Sequence, residues 1–60
     1  MRDIPPASEF PLYMLVTVRD GWGDVYAKGM VSGYAGPYSL VIITMAGREI
    51  LVSTSLVELA

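Results

Sequence analysis

The stretch from Gly29 to Gly47 carries no charged residue, and these 19 residues restrict the possible folds more than any other feature. The length matches that of a membrane-spanning helix. Gly33, Gly36 and Pro37 interrupt the stretch, however, and such residues favour turns over a continuous helix. We therefore expect two strands joined by a turn, with both faces of the strands covered, and no membrane span.

The remaining composition offers little to hold so short a chain together. Of its 60 residues 53% are hydrophobic, and neither cysteine nor histidine is present, so disulfides and histidine- or thiolate-bound metals are excluded. Domains of this size usually need such a crosslink or self-association. We therefore expect one domain that completes its burial as a homo-oligomer, with no cofactor.

The charges do not indicate a surface for nucleic acid. Four basic and six acidic residues give a net charge of -2. Binding to phosphates requires clustered cations. The four basic residues are instead spread along the chain, at Arg2, Arg19, Lys28 and Arg48. Nucleic-acid binding is therefore disfavoured.

Residues 1–11 contain three of the four prolines, which predicts an extended, Pro-rich N-terminal arm. Ile4 and Phe10 are its apolar anchors, and the arm is expected either to fray or to pack across its own barrel or a neighbouring subunit. Asp3 and the Pro5-Pro6 pair stand where the apolar core of a secretory signal would be. A cytoplasmic location is the default expectation.

Five short strands are predicted after this arm, because segments rich in β-branched and aromatic residues alternate with turn signals. The predicted strands are Leu12 to Val18, Val25 to Tyr34, Ser39 to Met45, Arg48 to Ser53 and Val57 to Leu59. Ala46-Gly47 is expected to form a hairpin turn. Ser55 and Glu58 have the spacing of a capping box, which predicts one helical turn before the last strand.

Side-chain alternation assigns a core face to each of the first two strands. In the first strand, Val16 and Val18 share the core face with Met14, and Tyr13, Leu15 and Thr17 point outward. In the second strand the inward residues are small, which permits curvature and close approach of another strand. These inward residues are Ala27, Gly29, Val31 and Gly33, and the outward residues are Tyr26, Lys28, Met30, Ser32 and Tyr34.

The order of these elements resembles that of SH3-like small β-barrels. The segment from Lys28 to Tyr34 and the ending from Leu51 to Leu59 carry the resemblance. It implies an all-β fold in which residues 12–60 form a five-stranded barrel with one short helical turn near the C-terminus. Barrels of this kind host many unrelated functions, so the fold alone does not assign one.

Two segments also resemble the plasmid-borne type II dihydrofolate reductases. Lys28 to Tyr34 is similar to their second strand, and Leu56 to Glu58 to their closing segment. This resemblance implies a pore-type, NADPH-dependent reductase. The positions that match the family's Val-Gln-Ile-Tyr pore motif hold Glu49, Ile50, Leu51 and Val52. Because the Gln and Tyr are missing, we assign no catalytic or cofactor-binding residue.

Dispersed carboxylates give little support to other chemistry. Asp20 and Asp24 bracket Gly21, Trp22 and Gly23, but they lack the ligand spacing of a calcium loop. Aspartate and glycine favour turns, so we expect these residues to shape the loop. Glu58 is interpreted as a helix cap.

Exposed aromatic and aliphatic residues are the candidate interface. Tyr and Trp bury a large area with few rotamers to freeze, which suits contact surfaces. The candidate protein-interface residues are Tyr13, Leu15, Trp22, Tyr26, Tyr34 and Tyr38. The last four are expected near one another as an aromatic rim that a second protein partner could bind. Leu12 to Val18 and Ser39 to Met45 have no charge to discourage pairing along a strand edge.

These features favour a non-catalytic protein-protein interaction or structural module that self-associates, of the kind found among phage or plasmid accessory proteins. One alternative is a weak single-stranded nucleic-acid binder, in which bases stack on the aromatic side chains and Lys28 and Arg19 assist. The pore-type reductase is the other alternative.

Overall fold

Five antiparallel strands form a single sheet in this protein, whose computed structural model describes residues 4–59. The strands are β1 (Leu15–Arg19), β2 (Val25–Gly36), β3 (Ser39–Thr44), β4 (Glu49–Ser53) and β5 (Val57–Leu59). Their order across the sheet is β4-β3-β2-β1-β5. The expected all-β class and the five strands are confirmed, and the predicted bounds of β5 match those observed.

The sheet is not closed into the barrel that the sequence predicted. β4 and β5 stand at the two ends of the strand order, and no pairing joins them within residues 4–59. Part of the interior is filled instead by Ala7 and Phe10 of the N-terminal segment, which are buried with the core residues of the strands. These side chains cover apolar surface that a closed barrel would cover with its own strands.

β1 and β3 lie inside the sheet. β1 pairs with β2 and β5, and β3 pairs with β2 and β4. The two segments that the sequence analysis considered open to edge pairing are therefore already paired on both sides, and the edges are β4 and β5. Their lack of charge reflects a central position in the sheet.

The core lies on one face of the sheet and includes Val16 and Val18 as predicted, whereas Met14, which was assigned to the same face, is 42% exposed. Its buried hydrophobic residues are Ala7, Phe10, Val16, Val18, Val31, Leu40, Ile42 and Val57. Gly29 of β2 is buried with them. A Cβ at Gly29 would overlap the carbonyl oxygen of Ile43 and lie 2.8 Å from the Thr44 Cα. The close approach that the small residues of β2 predicted thus occurs at Gly29, where β2 lies against the backbone of β3.

β1 begins later than predicted because a turn occupies its expected start. The Met14 amide donates to the Pro11 carbonyl at 3.2 Å, and Tyr13 has a φ of 67°. A positive φ at the third position is the requirement of a type II turn. The chain therefore turns at Leu12 and Tyr13 before it enters the sheet.

A bulge in β2 changes the face on which Tyr34 lies. The register with β3 shifts between Val31 and Gly33, and Tyr34 is then paired with Leu40, which is fully buried. Because one extra residue moves the following side chains to the opposite face, Tyr34 shares the face of Leu40. The prediction that it shares the outward face of Met30 was wrong.

Two three-residue 3-10 turns, Ala7–Glu9 and Thr54–Leu56, are the helical segments of the described chain. Ser53 caps the second turn, since its Oγ accepts a hydrogen bond from the Ser55 amide at 3.3 Å. Glu58 lies in β5 and pairs with Arg19 across 3.1 Å, so its interpretation as a helix cap was wrong. In residues 4–59 there is no helix with the length and apolar character to span a membrane.

The N-terminal segment is attached to the sheet by hydrogen bonds. The Ala7 amide donates to the Pro37 carbonyl at 2.7 Å, and the Thr54 hydroxyl donates to the Pro5 carbonyl at 2.6 Å. The segment is not extended throughout, because Ala7–Glu9 form a 3-10 turn. Residues 1–3 of the predicted arm lie outside the described residues.

Replacing Thr54 with valine is expected to destabilise the fold by about 1 to 2 kcal/mol, because the buried hydroxyl loses its bond and the Pro5 carbonyl loses its donor. Urea unfolding followed by circular dichroism measures the change. Thr17→Val is the control, since Thr17 lies on the outward face of β1. An equal loss in the two variants would contradict the anchoring role of Thr54.

Candidate functional site

Three apolar side chains form a row across the outward face of the sheet, on neighbouring strands. Leu15 of β1 lies opposite Met30 of β2, and Met30 lies opposite Ile43 of β3. Leu15 is 51% exposed and Met30 39% exposed. Residues directly opposite in antiparallel strands have Cβ atoms about 5 Å apart. The row is therefore a continuous apolar surface.

A second cross-strand pair extends this surface toward the edge at β4. Val41 of β3 lies opposite Leu51 of β4, and Leu51 is 68% exposed. We call the five residues the outer patch: Leu15, Met30, Val41, Ile43 and Leu51. In the part of the chain that the structure describes, no helix or strand covers it. Monomeric proteins rarely expose a large contiguous apolar patch without a binding role.

Charged residues border the outer patch. Glu49 is paired with Ile43 at one border. Lys28 and Glu58 both lie opposite Thr17 at another border. The border therefore carries charges of both signs, so a second copy rotated onto the patch could place opposite charges together.

Of the sequence-predicted interface residues, Leu15 lies within the outer patch and Tyr13 precedes β1 in the chain. Tyr13 is 71% exposed, and its amide donates to the Val31 carbonyl at 2.7 Å. The other members of the patch were not singled out by sequence reasoning. The alternation of β2 already assigned Met30 to the outward face, but Val41, Ile43 and Leu51 join it only through the register of β3 and β4.

The four rim aromatics do not gather at one place. Trp22 lies in the β1–β2 loop and Tyr26 near the start of β2, whereas Tyr34 is eight residues beyond Tyr26, near the other end of the strand. The Tyr34 hydroxyl donates to the Phe10 carbonyl at 2.6 Å, which ties it to the N-terminal segment. Tyr38 lies in the turn after β2, where its carbonyl accepts from the Thr54 amide at 3.0 Å. The four aromatic residues are thus divided between the two ends of β2.

Two surface grooves meet at Tyr26. One, of about 480 Å³, runs between β2 and the β3–β4 turn and is lined by Lys28, Met45, Arg48 and Ile50, among others. The other, of about 450 Å³, lies beside β4 and is mainly apolar. Val18, Ile50, Leu51, Val52 and Leu56 contribute to its lining. The second groove therefore opens next to the free edge of the sheet.

The Asp20 and Arg19 side chains hold the shape of the β1–β2 loop. Asp20 Oδ1 accepts from the Trp22 amide at 2.8 Å and from the Asp24 amide at 3.1 Å. Arg19 Nη1 donates to the Gly23 carbonyl at 2.8 Å, and Arg19 Nε pairs with Glu58. Asp20 therefore forms the turn expected of it. Among residues 4–59 no group of three acidic, histidine or cysteine side chains is placed to hold a metal ion.

Comparisons with known proteins add no relative. No protein-family model, curated protein or solved structure matches this chain. A functional assignment therefore depends on the surfaces described above.

Proposed function

We propose that this protein is a non-catalytic structural or interaction module that self-associates, and that the outer patch is its contact with a second copy. The observation that carries the proposal is the apolar row of Leu15, Met30 and Ile43 across three strands, in which Leu15 and Met30 are exposed and no described element covers the face. Contact between the outer patches of two copies would bury apolar surface that so short a hydrophobic chain leaves exposed on its own.

The energetics are compatible with reversible assembly. Burying the exposed half of a large apolar side chain contributes about 1 kcal/mol. Leu15, Met30 and Leu51, the three patch residues that are more than a third exposed, would therefore contribute on the order of 6 kcal/mol from two copies. Association costs about 4 to 15 kcal/mol before any contact is counted. We therefore expect an assembly whose mass depends on protein concentration.

The proposed fold class is SH3-like, with the N-terminal segment covering part of an open sheet. Two features support it: the strands run in the predicted sequence, and a single 3-10 turn, Thr54–Leu56, separates β4 from β5. A module of this kind would suit a cytoplasmic accessory protein, including one of phage or plasmid origin. The fold class does not itself select a partner.

A second protein partner is proposed at the Trp22 end of the sheet. Trp22 is 91% exposed, and Tyr26 on the same end lies between the two grooves. Exposed Trp and Tyr are the side chains most often responsible for binding energy at interfaces. Of the outer patch, only Leu51 lines either groove.

The two alternatives find less support. A nucleic-acid binder would use Arg19, but its guanidinium group is engaged by Glu58 and the Gly23 carbonyl. A reductase pore would require polar ligand contacts at Ile50 and Val52, and both side chains pack against the core. Neither alternative has an observation of its own that favours it.

Leu15→Glu is expected to reduce the mass of the assembly in sedimentation equilibrium at micromolar concentration while the far-ultraviolet circular dichroism stays that of a folded sheet. The substituted carboxylate would have to be desolvated in the contact without a partner, which is strongly unfavourable. Because Leu15 already lies half exposed on the outward face, the isolated fold tolerates the change.

Ser8→Glu is the matched control, because it adds the same charge at an exposed position of the N-terminal segment that is not part of the outer patch. It should assemble like the unmodified protein. A folded monomer of the unmodified protein at micromolar concentration would contradict the proposal, as would a Leu15→Glu variant of unchanged mass.

A further inference from the structure

The hydrogen bonds that flank β4 show which of its backbone groups are used within the sheet. The Thr44 amide donates to the Arg48 carbonyl at 2.8 Å, and the Thr54 amide donates to the Tyr38 carbonyl at 3.0 Å. Both pairs continue the register of β3 with β4, in which Leu40 lies opposite Val52 and Ile42 opposite Ile50. The bonded pairs of this ladder therefore include Ile50 and Val52.

Bonded and non-bonded pairs alternate along an antiparallel ladder. Glu49, Leu51 and Ser53 are consequently the non-bonded positions of β4, and their N–H and C=O groups point away from β3. β4 is the last strand of the sheet on this side. Within residues 4–59 these three residues thus present a row of unpaired donors and acceptors at the edge.

The other edge is protected in a way that β4 is not. β5 is three residues long, and its central residue, Glu58, is charged and paired with Arg19. Short edge strands and charges are the usual means of preventing edge pairing. β4 has five residues and no charge after Glu49. The accessible edge of this sheet is therefore β4.

We propose that β4 pairs in antiparallel fashion with β4 of a second copy, about a two-fold axis at Leu51. This inference rests on the proposed self-association and adds a contact separate from the outer patch. The two-fold axis places Leu51 opposite Leu51 and Glu49 opposite Ser53 of the second copy. Glu49, Leu51 and Ser53 of each strand, whose backbone groups point away from β3, then form the three bonded pairs of the new ladder. Each pair shares two hydrogen bonds, so the ladder has six.

This register is also compatible with the side chains. The only charged residue of β4, Glu49, meets the hydroxyl of Ser53, so no like charges oppose each other. Ile50 and Val52 lie on the core face of β4. Their counterparts from the second copy would lie on the same face, beside the apolar groove of about 450 Å³ at the edge. The second strand thus covers apolar surface as well as satisfying backbone groups.

The edge contact uses the backbone of β4 and the outer-patch contact uses side chains on the outward face, with Leu51 taking part in both. Each is isologous, and two isologous contacts with perpendicular axes close as an assembly of four chains. We therefore expect four or more chains at high concentration. A variant that lacks one contact should stop at two chains.

Ser53→Pro is the test of the edge contact. The Ser53 φ of -76° is already that of proline, and the alternation of the β3–β4 ladder leaves its N–H without a partner among residues 4–59, so the fold tolerates the substitution. The variant loses one N–H donor at each end of the new ladder. The mass of its assembly should therefore fall to that of two chains. Ser53→Ala is the matched control, since it also removes the hydroxyl but keeps the N–H, and it should assemble normally.

Leu51→Pro provides a second variant, because it keeps an apolar side chain in the outer patch and removes the two central donors. Hydrogen exchange gives a direct readout: the Leu51 amide should exchange slowly in the assembled protein and at least tenfold faster in Ser53→Pro. Normal mass in both proline variants would overturn the edge contact and leave the outer patch standing.

Leu15→Glu separates the two proposals. If it alone reduces the mass, the outer patch is the contact and the edge inference fails. If only the proline variants reduce the mass, the edge is the contact and the outer patch is not. The double variant Leu15→Glu, Ser53→Pro should be a monomer, and a monomeric unmodified protein would overturn both.

Discussion

Gly29→Ala is expected to unfold the protein at room temperature. A methyl group at this position would overlap the carbonyl oxygen of Ile43, and the nearby atoms belong to the backbone of β3 and cannot move without displacing the strand. Overpacking of this kind costs about 1 to 3 kcal/mol and more where backbone must shift. Domains of this size rarely hold more than about 3 to 5 kcal/mol. Circular dichroism and thermal unfolding measure the result.

Gly33→Ala is the matched control in the same strand. A Cβ at Gly33 meets no atom within 4 Å, and its φ is not positive. Alanine also restricts the unfolded chain more than glycine does, so Gly33→Ala should leave stability unchanged within about 1 kcal/mol. If the two variants unfolded at the same temperature, the close packing of β2 against β3 at Gly29 would be wrong.

Much of the fold could be predicted from local sequence patterns. Alternation of apolar residues located the strands, and it placed Val16, Val18 and Val31 on the core face. The small residue Gly29 correctly indicated close approach of another strand. These predictions succeeded because each depends on side-chain period and residue size, which are local properties.

The errors arose where the backbone departs from the regular period. Tyr13 adopts a positive φ that is uncommon for a residue other than glycine, so nothing in its identity indicated a turn. The bulge between Val31 and Gly33 moved Tyr34 to the opposite face from the predicted one. One extra residue is enough for such a reversal, and its position depends on the pairing with β3 rather than on β2 alone.

The candidate site required information about non-local pairing. Leu15 was identified because it alternates with Val16, but its neighbours Met30 and Ile43 are 15 and 28 positions away in the chain. The edge strands of the sheet could likewise not be identified without non-local pairing, because strand order is a property of the whole sheet. Sequence reasoning predicted that the chain associates, and the proposed surfaces for association came from the strand register.

Val31→Asp is expected to prevent folding. Val31 has no exposed surface, and its strand β2 is paired with β1 on one side and with β3 on the other. A carboxylate there would have no partner, and burying an unpaired charge costs about 3 to 5 kcal/mol even after relaxation. That loss matches the whole stability expected of a domain this small. Circular dichroism should show a disordered chain at all concentrations.

Met30→Asp is the neighbouring control, because it introduces the same group one residue earlier, on the outward face. Met30 is partly exposed, so the isolated fold can keep the carboxylate in water. This variant should therefore fold but sediment at a lower mass than the unmodified protein, since the outer patch would contain an unpaired charge. Equal unfolding of both variants would show that the two faces of β2 are buried alike, and the distinction between core face and contact face would then be wrong.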